Sequence, residues 1–205
     1  MAQTSTTLLS SKSHKPDITV TEGATFTVSG SDNKITTSST SLSNLAQFDL
    51  ITITGTSLNN KTFTVKSVAD DGLSIIVEET VSAETSDGST DTVINHVGFV
   101  SDKAKGDGYF SQPDGLHTVA YHISSDLNDD ANINIKMQGS LATTPTENDY
   151  FDISGTTINS DNIDGSTLVF SNNFTGNFVW VRVKVSGMSA GTITKVLYNL
   201  SLIHI

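Results

Sequence analysis

The stretch Phe178-Val179-Trp180-Val181-Arg182-Val183-Lys184-Val185 decides the fold. Side chains alternate across an extended strand, so its four valines share one face. A helix would scatter them around its circumference. The valine face predicts packing on a core. The opposite face runs from Phe178 and Trp180 to Arg182 and Lys184, from aromatic to cationic, which predicts one buried end and one end at a surface or interface.

Alternating runs with turn residues between them continue on either side. Toward the N-terminus, Asp17–Val20, Thr25–Val28, Leu50–Ile53, Thr62–Val65, Leu73–Val77 and Thr92–Val97 read as strands. Their punctuation is Glu22-Gly23, Ser29-Gly30-Ser31-Asp32-Asn33, Asn59-Asn60 and Asp70-Asp71-Gly72. The Asp71-Gly72 pair predicts a tight turn, because glycine tolerates positive φ. Around the deciding stretch, Leu116–Ile123, Ile133–Gln138, Tyr150–Ile153, Thr167–Phe170 and Thr192–Leu202 read as further strands.

Between the two sets lies Ser101-Asp102-Lys103-Ala104-Lys105-Gly106-Asp107-Gly108, polar and without apolar periodicity. The expected organisation is therefore all-β. A Ser/Thr-rich docking arm at 1–16, flexible when free, precedes a small β-barrel or sandwich module at 17–100. A linker at 101–108 then leads to an antiparallel, jelly-roll-like sandwich at 109–205.

Composition agrees with this class. Of 205 residues, 28 are Ser and 29 are Thr, and only 16% are charged, so the surface residues that helices favour are scarce. The net charge of −11 opposes binding to nucleic acid or to anionic lipid. No apolar run approaches the ~18 residues of a membrane helix, and Met1-Ala2-Gln3-Thr4-Ser5 lacks the basic and apolar regions of a signal peptide. The absence of cysteine removes disulfides, thiolate metal sites and cysteine nucleophiles together. Robustness must then come from core packing or from assembly into a homo-oligomer.

No catalytic, cofactor-binding or metal-binding set emerges. The histidines are His14, His96, His117, His122 and His204. His117 and His122 are an odd number apart in one expected strand, so they face opposite ways and do not chelate one ion. Asp126-Leu127-Asn128-Asp129-Asp130-Ala131-Asn132 places oxygens at alternate positions, as a calcium loop does. It lacks that loop's glycine, and Met137 or Gln138 stands where the bidentate Glu belongs. Asp161-Asn162-Ile163-Asp164-Gly165 is a weaker version, and both read as turns. Tyr109-Phe110, Tyr150-Phe151, Phe174, Trp180 and Tyr198 either fill a thin core or line a sugar-binding groove. The sequons at Asn60, Asn173 and Asn199 carry no weight without a secretory signal.

Two stretches carry a resemblance. Ile53-Thr54-Gly55-Thr56-Ser57-Leu58-Asn59-Asn60-Lys61-Thr62-Phe63-Thr64-Val65-Lys66-Ser67-Val68, with Asp71-Gly72-Leu73 and Val77-Glu78-Glu79, resembles a small β module of tailed-bacteriophage virion proteins. Lys61 stands where that module more often has Gly. Ile135–Leu141, Tyr150–Ile153, Asn172–Arg182 and Gly191–Asn199 resemble a jelly-roll domain of structural proteins in marine phages, cyanophages especially. The resemblance implies a non-enzymatic virion structural protein, made in the host bacterial cytoplasm. It would decorate or reinforce the capsid, neck or tail and project a β-sandwich, with other virion proteins as partners. A carbohydrate-binding attachment module of a tail or head fibre is the alternative, with a host glycan stacked on Trp180 or Tyr150.

Overall fold

The computed structural model describes residues 5–86, 88, 90–111, 115–130 and 132–201. In chain order the strands are β1 (Thr6–Leu9), β2 (Lys12–Ser13), β3 (Ile18–Val20), β4 (Ala24–Ser29), β5 (Asp32–Thr37) and β6 (Asp49–Thr54). Then come β7 (Thr62–Val68), β8 (Ser74–Val77), β9 (Glu84–Thr85), β10 (Thr92–Val100), β11 (Ala104–Lys105) and β12 (Leu116–Ile123). The last are β13 (Asn134–Ser140), β14 (Phe151–Asp152), β15 (Ile158–Asn159), β16 (Val169–Thr175), β17 (Trp180–Ser186) and β18 (Thr192–Ser201). The helical pieces among the described residues are short 3₁₀ turns, so the protein is all-β.

Two compact units divide the chain. One spans Lys15–Phe99; the other joins the residues up to His14 with those from Val100 onward. In the first, antiparallel strands follow one another in the order β3-β10-β6-β7-β8-β5-β4-β9. Val20 of β3 and Phe26 of β4 belong to one buried cluster with Ile35, Ile51, Phe63 and Ile75, so the sheet rolls around a single core. Gly72 adopts φ +68° in the Asp71-Gly72 turn between β7 and β8, as its sequence predicts. β5 is a strand where turn residues were expected. Gly30 at φ +63° closes a hairpin that pairs Asp32 and Asn33 with Ser29 and Val28. Their polar side chains are partly exposed, which hid the strand's period.

The second unit is a sandwich of two sheets. One has the order β1-β18-β12-β16; in the other, β17 lies between β11 and β13, and β13 pairs onward with β14 and β15. Counting β14 and β15 as one position and leaving aside β2 on β18, the strands number one to eight along this unit. The sheets then read 1-8-3-6 and 2-7-4-5, the double Greek key of a jelly roll. The first unit is thus inserted between the jelly roll's first and second strands. Val181, Val183 and Val185 are fully buried, together with Ile135 and Met137 beside them and Val119, Tyr121, Ile193 and Val196 of the first sheet. Phe178 and Val179 precede β17 rather than belonging to it.

Two expected boundaries need correction. Residues 6–13 are not an arm: β1 pairs with β18 from Thr6↔Tyr198 to Leu9↔Val196, β2 pairs with the start of β18, and Leu8 and Leu9 are buried. Threonine-rich sequence is also strand-forming sequence, and two leucines suffice to anchor it. Residues 101–108 are not a linker either. Ala104 and Lys105 pair with Val181 and Trp180, and Asp107 is fully buried. The glycines there permit close approach: a Cβ on Gly106 would stand 2.2 Å from the Phe178 carbonyl oxygen, and one on Gly108 2.3 Å from Asn177 Oδ1.

Candidate functional site

The supposed linker builds the most organised polar cluster of the jelly roll. Asp107 Oδ1 accepts hydrogen bonds from the backbone N–H of Gly108 (3.0 Å) and Phe178 (2.9 Å), and Oδ2 accepts from that of Gly115 (3.0 Å). One carboxylate thereby ties β11's exit to the turn entering β17 and to the start of β12. His117, equally buried, lies with Nε2 3.3 Å from Asp107 Oδ1 and 3.2 Å from the Gly176 carbonyl oxygen; its Nδ1 is 2.7 Å from the Tyr198 hydroxyl. A carbonyl only accepts, so Nε2 carries the hydrogen and Nδ1 receives the Tyr198 O–H. The neutral imidazole is fully satisfied in this arrangement. It stacks on Phe174 (4.8 Å, 11°) and meets Phe178 edge-on.

Burial lowers the pKa of His117, against the opposing pull of Asp107. Burial and the Asp107 charge both push the Tyr198 phenol upward. The phenol at the imidazole therefore stays a neutral donor rather than becoming a nucleophile. The cluster's chemistry is to hold three segments in register.

Tyr198 also faces a cleft of about 460 Å³ within the same unit. Thr6, Lys103, Lys105, Phe110 and Trp180 line it with Tyr198. The Lys103 ammonium sits 4.7 Å from the Trp180 ring centroid and that of Lys105 4.2 Å from the Tyr109 ring. Tyr109 in turn packs on Trp180 (5.1 Å) and Phe110 (5.4 Å), leaving Tyr109 43% and Phe110 45% exposed. Trp180 Nε1–H donates to the Thr143 carbonyl (3.0 Å), which fixes the indole plane.

The two aromatic residues expected to stack on a glycan fare differently. Trp180 reaches the cleft, with Lys103 over its ring. Tyr150 does not line it, and the Arg182 guanidinium lies 3.6 Å from its ring centroid. Arg182 itself is buried. It makes two hydrogen bonds to Glu147 (2.6 and 2.8 Å), and its Nε–H donates to Gln138 Oε1 (3.0 Å). No family model matches this chain, and no curated protein matches it either.

The remaining candidates resolve into structural roles. In the inserted unit, His96 Nδ1 accepts from the Lys15 backbone N–H (3.3 Å), and the Asp49 carboxylate lies 3.9 Å from Nε2. Burial of Asp49 raises its pKa, but the neighbouring His96 ring and the Lys15 ammonium, hydrogen-bonded at 2.5 Å, hold it below the usual range. His122 faces away from the buried His117 and is partly exposed on the same strand, as the odd spacing requires. His204 lies outside the described residues.

In the first calcium-like stretch, Asp130 accepts from Ser189 N–H (2.6 Å) and Ser189 Oγ (3.0 Å), and Asp126 accepts from Ser124 Oγ. In the second, two backbone N–H groups (Ser166 and Thr167) bring Asp164 down to about 2. Among the described residues no group of three or more His, Cys, Asp or Glu side chains is placed to hold a metal ion.

Sequence reasoning missed Lys103, Lys105 and Asp107 as site residues. The available signal was the alternation Lys103-Ala104-Lys105, which has a strand's period but only one apolar residue.

Proposed function

We propose that this chain is a non-enzymatic structural component of a tailed-bacteriophage virion, decorating or reinforcing the particle and presenting a jelly roll at its surface. The observation that carries the reading is the jelly roll with a second β unit inserted between its first two strands. Jelly rolls recur in capsid and lectin domains, and the resemblance of both units points the same way. One sheet edge suits assembly. β16 closes one end of its sheet with seven residues that include no charge; its first, Val169, is 51% exposed and Leu168 just before it 41%. Such an edge pairs readily with a second copy, and an uncharged strand avoids the like-charge repulsion of a chain at −11.

Mass spectrometry of purified phage particles tests this. Hundreds of copies per particle indicate capsid or tail-tube decoration, and a few to a dozen indicate neck, baseplate or fibre. Absence from the particle refutes the reading. A second reading, glycan attachment, is favoured by the half-exposed Tyr109 and Phe110 beside the cleft.

A further inference from the structure

We infer that the cleft lined by Lys103, Lys105, Phe110 and Trp180 binds an acidic saccharide, its carboxylate taken by the two lysines and its apolar ring face by the aromatics. This rests on the glycan reading and narrows it to one chemical class. The first support is charge. Lys105 ends β11 and Lys103 stands just before it, and both side chains line the cleft. Neither ammonium has a carboxylate within 4 Å among the described residues, although the chain carries twice as many acidic residues as basic ones. Each is already held against a ring. The entropy of ordering a long side chain is therefore largely spent before a ligand arrives, and the ammonium hydrogens remain available to an anion.

The second support is amphipathicity. Tyr109 and Phe110 present rings that stay more than two-fifths in water, which suits a ligand with one apolar face and one hydroxylated face. A wholly apolar ligand would gain little from so open a surface. Thr6 lines the cleft and the exposed Tyr109 stands beside it, so their hydroxyls offer hydrogen bonds to a sugar. A nucleic acid strand would also offer rings and anions, but two lysines match one or two charges, and a long run of phosphates meets the field of a chain at −11 beyond them.

The protein carries its own probe, because Trp180 is its sole tryptophan and lies in the cleft. The full chain is titrated with trigalacturonic acid and sialyllactose, against galactotriose and lactose as neutral counterparts and sodium acetate as a simple anion, while Trp180 emission is followed. The expected result is a saturable change with an acidic saccharide alone. Lys103→Ala and Lys105→Ala together should weaken it at least about tenfold, roughly the loss of two charged hydrogen bonds at a solvent-exposed site. Both lysines are exposed, and an unchanged circular dichroism spectrum of the double variant shows that it folds. Equal binding of neutral and acidic sugars overturns the inference but leaves the glycan reading standing. An equal response to acetate overturns it in favour of a plain anion site. No response to any saccharide overturns both.

Discussion

Val181→Asp separates the two units by destroying one of them. Val181 is fully buried on β17, its backbone paired with Gly139 of β13 and Ala104 of β11. Removing the buried isopropyl group forfeits about 1.5–3 kcal/mol of transfer free energy. The new carboxyl shares its face with Val183 and Val185 and must stay protonated to remain buried. Holding that proton at pH 7 against an ordinary value near 3.9 costs roughly 4 kcal/mol, at 1.36 kcal/mol for each pH unit. The sum, about 6–7 kcal/mol, is comparable with the whole stability of a domain. Because the pKa of the introduced group is raised on folding, this part of the penalty grows as pH rises above its unfolded value and shrinks as pH falls toward 4.

The assay is limited proteolysis with intact-mass detection. The surviving fragment is expected to span about 15–99, with the first 14 residues lost together with the C-terminal half, because they belong to the jelly roll. A resistant fragment that keeps those first residues and ends near 105 would refute the inserted topology. Simultaneous loss of both units at one rate would refute their independence.

Three further outcomes follow from the polar cluster and its neighbours. Since burial depresses the pKa of His117, the jelly roll should lose stability as pH falls through about 6.5. A His117→Asn variant should be less stable at pH 8 but show a flatter melting-temperature profile between pH 8 and 5; an unchanged profile would place the titration elsewhere. Gly106→Ala should destabilise by about 1–3 kcal/mol in urea, because its Cβ meets the Phe178 carbonyl; a neutral effect would restore the linker reading. Arg182→Lys keeps the charge but loses the paired hydrogen bonds to Glu147 and the planar contact with Tyr150. It should cost about 1–3 kcal/mol by the same measurement.

The sequence was legible wherever one face was buried and the other was not. β12 falls at Leu116–Ile123, where it was expected, because His117, Val119, Tyr121 and Ile123 alternate with more exposed neighbours. The deciding valines of β17 are buried for the same reason. What failed was composition used as a proxy for disorder. Thr6–Leu9 has no apolar alternation and Lys103-Ala104-Lys105 has only one apolar residue, and their partners lie far along the chain, at β18 and β17. Glycine misled in the same way, since Gly106 and Gly108 mark close packing rather than freedom. The cleft was half visible: Trp180 was named, but the lysines that complete it lay in the segment set aside as a linker.

The inserted topology also sets an order of birth. β1 leaves the ribosome long before its partner β18. At ~5–20 residues per second of synthesis, Leu8 and Leu9 wait about 10–40 s for the strand that covers them. The unit at Lys15–Phe99 is complete well before then, and its rolled sheet leaves the Lys15 N–H on His96, near the point where the chain exits. Once folded, it turns an 85-residue detour into a short bridge between the jelly roll's first and second strands. The loop-closure entropy of delivering these two strands to their separate sheets is largely met in advance. A nascent chain stalled after about residue 140 should therefore already protect the insert, while β1 stays open to protease until β18 emerges.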